Sequence, residues 1–167
     1  MKRNFLWMML PSGRCLAYGM PRLRDQVWAK LKLPDGGWSD AEVMLREEAE
    51  GLERRGEAKI EGATSQQVTA LGVDGKSKKW RRYGLYGGLA AENWTQATAR
   101  ELLVNGMFKA EAAGYPVVMT VYDEILTEVP RGYGSVKEFE RLICELPAWA
   151  KDIPLQADGW RGKRYHK

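Results

Sequence analysis

Two adjacent carboxylates, Asp123 and Glu124, stand between two short apolar runs and are the residues of this chain best suited to chemistry. The surrounding segment, 116–130, reads PVVMTVYDEILTEVP, which predicts a tight antiparallel hairpin with both carboxylates at its turn. Adjacent like charges repel, and a hard cation such as Mg²⁺, which binds one or two carboxylates together with substrate phosphates, would offset that repulsion. The alternative is an ordinary solvated turn, because Asp bonds its own backbone in turns.

The segment before this hairpin predicts the longest helix of the chain, over 89–113, ending at Gly114 as a C-cap. Its predicted apolar stripe consists of Ala99, Leu102, Leu103, Gly106, Met107 and Ala110. Gln96 and Arg100 are predicted to extend the polar end of the same face, either at the edge of the core or projecting into a cleft. Asn93 lies one turn before Gln96 and would share its groove.

These two elements carry a resemblance to a known family. The helix with Gln96-Ala97-Thr98-Ala99 resembles the Gln-Gly-Thr-Ala helix of family A (polymerase I-like) DNA polymerases of bacteriophage and prophage type, and Tyr122-Asp123-Glu124 resembles their His-Asp-Glu motif, motif C. Order and spacing match, and the resemblance extends from about residue 10 to the last residue. It implies the C-terminal part of a palm, with an α+β fold in which hairpins form an antiparallel sheet packed with helices.

The resemblance also implies DNA-directed DNA polymerisation with two Mg²⁺ ions. Asp123 would be a ligand of the catalytic metals, with Glu124 as the neighbouring, less critical carboxylate. Gln96 would contact the DNA near the primer end, and Arg100 and Asn93 are further candidates for DNA contact. Tyr122 stands where the family has histidine, at the primer terminus. Primer–template DNA and deoxynucleoside triphosphates would be the partners.

Two-metal transfer requires carboxylates from two places in a fold. In this family the second aspartate lies on an upstream strand followed by a lysine-bearing nucleotide-binding helix, and neither is recognisable here; the resemblance places residue 1 just after that helix. Asp158, at the edge of a predicted last strand, is the one candidate for standing near Asp123. We therefore expect the chain alone not to polymerise DNA and to require an upstream polymerase portion.

Two other functions remain open. One is a non-catalytic, prophage-derived DNA-binding remnant or accessory module, which would bind duplex DNA without regard to Asp123 or Mg²⁺. The other is a metal-dependent nuclease built on Asp123 and Glu124.

Composition sets further bounds. The 167 residues, with a formal charge of +4, suit one domain of mildly basic character. We expect a single palm-like domain. Residues 1–85 would form hairpins and a capped surface helix, and residues 86–167 would form the long helix, the Tyr-Asp-Glu hairpin, and the C-terminal helix and strand. One histidine, His166, and no cysteine cluster argue against zinc. Cys15 and Cys144 predict buried thiols in a reducing cytoplasm, and no run is long enough for a membrane span.

Two basic stretches are candidates for phosphate contact or for simple solvated surface: Pro21-Arg22-Leu23-Arg24, and the cluster of Lys76, Lys78, Lys79, Arg81 and Arg82. The cluster lies in a predicted hairpin over 67–83 with an Asp74-Gly75 turn.

The remaining elements follow from local signals. A hairpin is predicted over 5–18, a helix from the capping box Ser39–Glu42 to about Arg55, and a loosely ordered stretch over 55–64. A second capping box, Ser135–Glu138, predicts an amphipathic helix that ends before Pro147, and 153–157 is predicted as a closing strand. The resemblance packs the C-terminal tail beside the active site.

Overall fold

The computed structural model describes residues 4–165. Along the chain these residues form β1 (Phe5–Met9), β2 (Cys15–Leu31), β3 (Glu42–Leu45), α1 (Arg46–Arg54), β4 (Ala58–Val73), β5 (Trp80–Gly84), α2 (Gly87–Ala112), β6 (Val117–Val121), β7 (Glu124–Thr127) and α3 (Val136–Ile143), followed by a short 3-10 helix, Ala148–Ala150. The named strand pairs are antiparallel, and the predicted α+β class is confirmed.

The chain forms two compact units. The first contains Cys15–Glu92 together with the described residues before Met9, and the second contains Met9–Arg14 and the chain from Asn93 onward. The first is dominated by a sheet in the order β1-β2-β4-β5, with β3 also paired to β2. The second holds α2 from Asn93 onward, the two-stranded β6–β7 sheet and α3.

Two very long strands make the frame of the first unit. β2 and β4 pair from Gly19↔Leu71 to Leu31↔Ala58, with three register shifts on the way. The predicted hairpins over 5–18 and 67–83 are both present, the second as β4 and β5. Its loop is longer than an Asp-Gly turn, since the Asp74 N–H donates to the Lys79 carbonyl and Lys78 has a positive φ.

Two predictions for this unit are wrong. The capping box Ser39–Glu42 does not start a helix: β3 begins at Glu42 and pairs with β2, and α1 starts only at Arg46 without a side-chain cap. The Ser39 hydroxyl instead accepts from the Leu31 N–H and donates to the Asp40 carbonyl. The stretch 55–64 is not loosely ordered, because Ala58 onward belongs to β4. In both places the long partner strand β2 supplies backbone hydrogen bonds that a local pattern cannot reveal.

α1 closes the small core of the first unit. Val27 and Ala29 on β2 are buried against Ala49 of α1, with Met44 and Ile60 packed around them.

The second unit is built around α2. The predicted helix over 89–113 is confirmed with an earlier start, and Gly114 follows it at φ +83°, the left-handed conformation of a glycine C-cap. Its buried residues are Thr98, Leu102, Gly106 and Ala110, spaced by four. The predicted stripe is confirmed at Leu102, Gly106 and Ala110, and its Leu103 and Met107 are half-buried, but Ala99 is exposed.

Of the two hydrogen bonds of the capping box at the start of α3, the one accepted by the Ser135 hydroxyl is confirmed. The Glu138 N–H donates to the Ser135 hydroxyl at 3.1 Å, and the helix ends at Ile143, before Pro147. The Glu138 side chain, however, accepts from the Tyr115 hydroxyl at 2.8 Å.

Two further predictions are wrong. No strand forms over 153–157, where Ile153 and Leu155 are exposed, so Asp158 stands on no strand edge. The thiols are not buried, since Cys15 is exposed and Cys144 half-buried. The tip of the tail, including His166, lies outside the described residues. Between residues 4 and 165 there is no helix of the length and apolarity that a membrane span requires.

Candidate active site

The Tyr-Asp-Glu segment forms the tightest turn of the second unit. Val121 pairs with Glu124, so Tyr122 and Asp123 are the two loop residues of the β6–β7 hairpin. Asp123 is exposed, whereas Glu124 is the first residue of β7 and half-buried. The predicted hairpin is thus confirmed, with one carboxylate in the turn and the other at the start of the returning strand.

Tyr122 holds an unusual backbone conformation. Its φ is +54° and its side chain is 89% exposed. Two-residue hairpin loops require positive φ at the first central position, which glycine or asparagine normally supplies. A bulky residue there stores local strain, of order 1–3 kcal/mol, and such strain concentrates at functional sites. The turn therefore holds an exposed aromatic side chain on the residue next to Asp123.

A residue of the tail reaches Glu124. The Tyr165 hydroxyl donates to Glu124 Oε2 at 2.8 Å, and this hydrogen bond, helped by desolvation and by the negative charge of Glu124, raises the pKa of Tyr165. Sequence reasoning placed the tail near the hairpin but did not single out Tyr165.

Two hydrogen bonds anchor the tail, and one ring stack orders it internally. The Gly159 N–H donates to Glu140 Oε1 at 2.7 Å, and Arg161 Nη2 donates to the Tyr133 carbonyl at 2.7 Å. The rings of Trp160 and Tyr165 stack with centroids 6.5 Å apart. The hydroxyl of Tyr165 is therefore positioned by an anchored segment.

A buried tyrosine fixes the base of the hairpin. Tyr115 is 2% exposed, packs edge-on against Tyr133 with ring centroids 5.2 Å apart, and accepts from the Ser135 N–H at 3.3 Å while donating to Glu138. Burial, followed by the hydrogen bond to Glu138, raises the pKa of Tyr115. The Val117 N–H donates to Glu111 Oε1 at 2.6 Å, which ties the first residue of β6 to the end of α2.

The predicted DNA-contacting residues of α2 share one helix face. Asn93, Gln96 and Arg100 follow an i, i+3, i+7 spacing; Gln96 and Arg100 are exposed and Asn93 is half-buried. The prediction that Gln96 and Arg100 continue the buried stripe is wrong, because the buried residues, from Thr98 to Ala110, lie on the opposite side of the helix.

Gly106 is where α2 meets the hairpin and α3. A Cβ placed on it would lie 3.0 Å from the Ile143 carbonyl oxygen and 3.4 Å from Ile125 Cδ1. Arg100 and Asn93 precede this contact by about 9 and 20 Å along the helix axis, at 1.5 Å per residue. The structure thus brings Tyr122, Asp123 and Glu124 together, and sets the α2 residues along a separate face of the same unit.

The hairpin carries two carboxylates of the kind that bind magnesium. Mg²⁺ uses one or two protein carboxylates together with phosphate oxygens, and Asp123 with Glu124 fits that share. In the part of the chain described, no three side chains of the His, Cys, Asp or Glu type form a metal-binding group. Asp123 and Glu124 therefore suit a metal site whose other ligands come from outside the described residues.

Sequence reasoning also missed an ion pair that involves α2. Arg14 Nε lies 3.1 Å from Glu101 Oε1, and the Glu101 side chain is only 9% exposed. Together with the Trp94 indole N–H, which donates to the Met9 carbonyl at 3.3 Å, this pair binds the Pro11–Arg14 turn to α2.

Comparison with known proteins gives one informative match. The chain is 35% identical over 167 residues to the DNA polymerase of Bacillus phage SP02, a match that covers 98% of the chain and 20% of that polymerase. The chain thus spans about a fifth of the length of the curated relative it matches. No family model matches the chain, and no solved structure does. The resemblance to a phage DNA polymerase is confirmed at this level, and the assignment to family A stays a prediction.

Proposed function

We propose that this chain is the C-terminal palm portion of a family A DNA-directed DNA polymerase of phage type. The observation that carries the proposal is the similarity of almost the whole chain to a segment of a phage DNA polymerase, combined with a carboxylate exposed at the tip of a two-residue hairpin.

Each candidate residue has a role in this proposal. Asp123 is the metal-binding carboxylate, and its exposure in the turn leaves it open to a metal and a substrate phosphate. Glu124 is the second carboxylate, oriented by the Tyr165 hydroxyl. Tyr122 presents its ring at the primer terminus. Mg²⁺, when bound, would neutralise charge on the transferring phosphoryl group and favour attack by the primer hydroxyl.

The exposed face of α2 positions the nucleic acid. Gln96 and Arg100 donate hydrogen bonds to the DNA near the primer end, with Asn93 one turn earlier. An amide and a guanidinium suit this task, because both donate to base-edge or backbone oxygens.

The proposed site is incomplete without a further segment. Two-metal transfer needs carboxylates from two parts of a fold, and the hairpin supplies one pair. The second aspartate and the nucleotide-binding lysine come, in this proposal, from the upstream polymerase portion.

A chimeric polymerase tests the proposal. This chain replaces the matched fifth of the Bacillus phage SP02 polymerase, and Mg²⁺-dependent extension of a primed template is measured. We expect templated extension, and a loss of roughly a hundredfold or more in Asp123→Asn, because metal stabilisation of a transition state amounts to several kcal/mol.

The matched control is Glu128→Gln, which removes the same charge from an exposed residue just after β7. Equal extension by the Asp123→Asn and Glu128→Gln chimeras would refute the role of Asp123. A chimera that binds primer–template as tightly as the phage enzyme and yet extends nothing would refute the palm assignment.

A non-catalytic DNA-binding module is the second candidate. Its support is the formal charge of +4, which is compatible with a polyanionic partner. It predicts duplex binding that weakens with salt and is indifferent to both Mg²⁺ and Asp123→Ala.

A further inference from the structure

Three arginines of the first unit lie on one face of its sheet. Arg22 and Arg24 are two residues apart on β2 and pair with Thr69 and Gln67 of β4 without a register shift between them. Arg82 of β5 pairs with Leu71, two residues on from Thr69. Because side chains alternate between the faces of a sheet, all three arginines project from the same face.

Arg82 is held in place by hydrogen bonds to β2 and β4. Its Nη1 donates to the Met20 carbonyl at 3.0 Å and to Thr69 Oγ1 at 3.1 Å, so the side chain reaches across β4 to β2. The Thr69 hydroxyl in turn donates to the Arg22 carbonyl at 3.0 Å. Burial, followed by the charges of Arg22 and Arg24, lowers the pKa of Arg82, as expected where three guanidinium groups are close together.

One carboxylate is paired with the set. Arg24 Nη1 forms an ion pair with Glu47 Oε1, while Arg24 Nε is buried and has no hydrogen-bond partner among the described residues. Arg22 is exposed. Three positive charges against one negative charge leave this face with an excess of two, and no ion pair among residues 4–165 neutralises that excess.

An exposed aromatic ring lies on the same face. Trp80 precedes Arg82 by two residues on β5, pairs with Val73, and is 73% exposed. Its Cα lies about 6.6 Å along the strand from that of Arg82, at 3.3 Å per residue. An aromatic side chain beside a positive groove is the arrangement by which proteins bind single-stranded nucleic acid, with bases stacked on the ring and phosphates on the cations.

We propose that this arginine face, made of Arg22, Arg24, Arg82 and Trp80, binds a single-stranded stretch of nucleic acid. Arg22 and Arg24 contact backbone phosphates, Arg82 provides a fixed positive charge, and Trp80 stacks on an unpaired base. The choice of DNA rests on the proposed polymerase function, in which the strand is a template overhang. The surface is distinct from the Tyr122–Glu124 hairpin and uses none of its residues.

The test measures binding of a labelled oligothymidine to the 167-residue chain by fluorescence anisotropy, without Mg²⁺ and over a range of salt concentrations. We expect Arg22→Gln to raise Kd about fivefold and to reduce the salt slope by about 0.7, the value for one phosphate contact on a single strand. Trp80→Ala should raise Kd about fivefold or more through lost stacking. Both side chains are largely exposed, so neither change threatens the fold.

Two further variants sharpen the test. Glu47→Gln removes the opposing carboxylate and should tighten binding. Arg131→Gln removes an exposed arginine from the second unit and should leave Kd within about twofold, so that it reports the effect of net charge alone. The proposal would be overturned if Arg131→Gln and Arg22→Gln raised Kd equally. It would also be overturned if Glu47→Gln did not lower Kd.

Two alternative ligands are separated by the same assay. If Arg22→Gln weakens binding to duplex and single strand alike while Trp80→Ala changes neither, the single-strand assignment is overturned. If millimolar inorganic phosphate displaces the oligonucleotide at constant ionic strength, the face is a free-phosphate site and the proposal fails. None of these outcomes depends on Asp123 or on primer extension, so a failure here is separate from a failure of the proposed polymerase function.

Discussion

Tyr165 controls the environment of one carboxylate of the candidate site. Its hydroxyl donates to Glu124 Oε2, which leaves the strand-borne carboxylate with a defined orientation while Asp123 stays exposed in the turn. The two carboxylates therefore differ in surroundings although they are adjacent in sequence, which fits one metal ligand and one supporting group.

The Tyr165 contact predicts a dependence on alkaline pH. The hydrogen bond to Glu124 raises the pKa of Tyr165, so the docked tail is fully stabilised below the ordinary tyrosine pKa of about 10 and loses that stabilisation as the pH rises through the raised value. The measurement is the tyrosinate absorbance titration of the chain minus that of Tyr165→Phe. We expect the midpoint of this difference above that of a peptide of sequence 159–165; a midpoint at or below the peptide value would contradict the contact.

Individual residues of the site were partly predictable from sequence. Asp123 and Glu124 stood out because two carboxylates between apolar strands are unfavourable without a cation, and the hairpin followed from β-branched runs on either side. The positive φ of Tyr122 was not predictable, because no glycine or asparagine announces it. Tyr165 is distant in sequence from Glu124, and only the folded chain reveals their contact.

At the scale of elements, the approach of α2 to the end of α3 is set by Gly106. A Cβ on this residue would lie 3.0 Å from the Ile143 carbonyl oxygen, so a side chain there would push α2 away from the end of α3, whereas Ile125 Cδ1 of the hairpin, at 3.4 Å, is close to ordinary van der Waals contact. The exposed face with Gln96 and Arg100 would move with it.

Two glycine substitutions should have opposite effects. Gly106→Ala should destabilise the second unit by about 1–3 kcal/mol, because a backbone carbonyl cannot give way as a flexible side chain would. Gly51→Ala, within α1, should stabilise its helix by about 0.5–1 kcal/mol, since the nearest atoms are arginine side-chain ends 4.0 Å away. Hydrogen–deuterium exchange rates of peptides from α2 and from α1 measure the stability of each unit separately. Stabilisation of α2 by Gly106→Ala would show that the contact does not set the spacing.

The elements that sequence patterns missed share a physical cause. The capping box Ser39–Glu42 was a sound local signal, and β3 formed there because β2 extends far enough to pair with it. Ala58–Gln66 carries few strong strand formers and is held in β4 by the same long partner. By contrast α2 and α3, whose hydrogen bonds are internal, were predicted nearly to their ends.

At the scale of the molecule, we propose two surfaces for a polyanion and an incomplete catalytic centre. The candidate residues of α2 and the hairpin belong to the second unit, and the arginine face belongs to the first. The formal charge of the whole chain, +4, accords with both proposed surfaces.

We expect the isolated 167-residue chain to give no templated primer extension with Mg²⁺, because a second set of metal-binding carboxylates is required. The measurement is incorporation of labelled deoxynucleotide on a primed template, with the chimeric polymerase as the positive control. Extension by the isolated chain that disappears in Asp123→Asn would contradict the expectation and show that the described residues already contain a complete site.

The tail carries protease cleavage sites at a critical position. Arg161, Lys163 and Arg164 lie just before Tyr165, so a trypsin-like protease can separate Tyr165 from the anchored segment by one cut after Arg164. Such a cut would leave the Glu124 carboxylate without that hydrogen-bond partner. Intact mass should therefore be checked before any activity of a purified sample is interpreted, and the rate of this cleavage reports how often the tail leaves the hairpin.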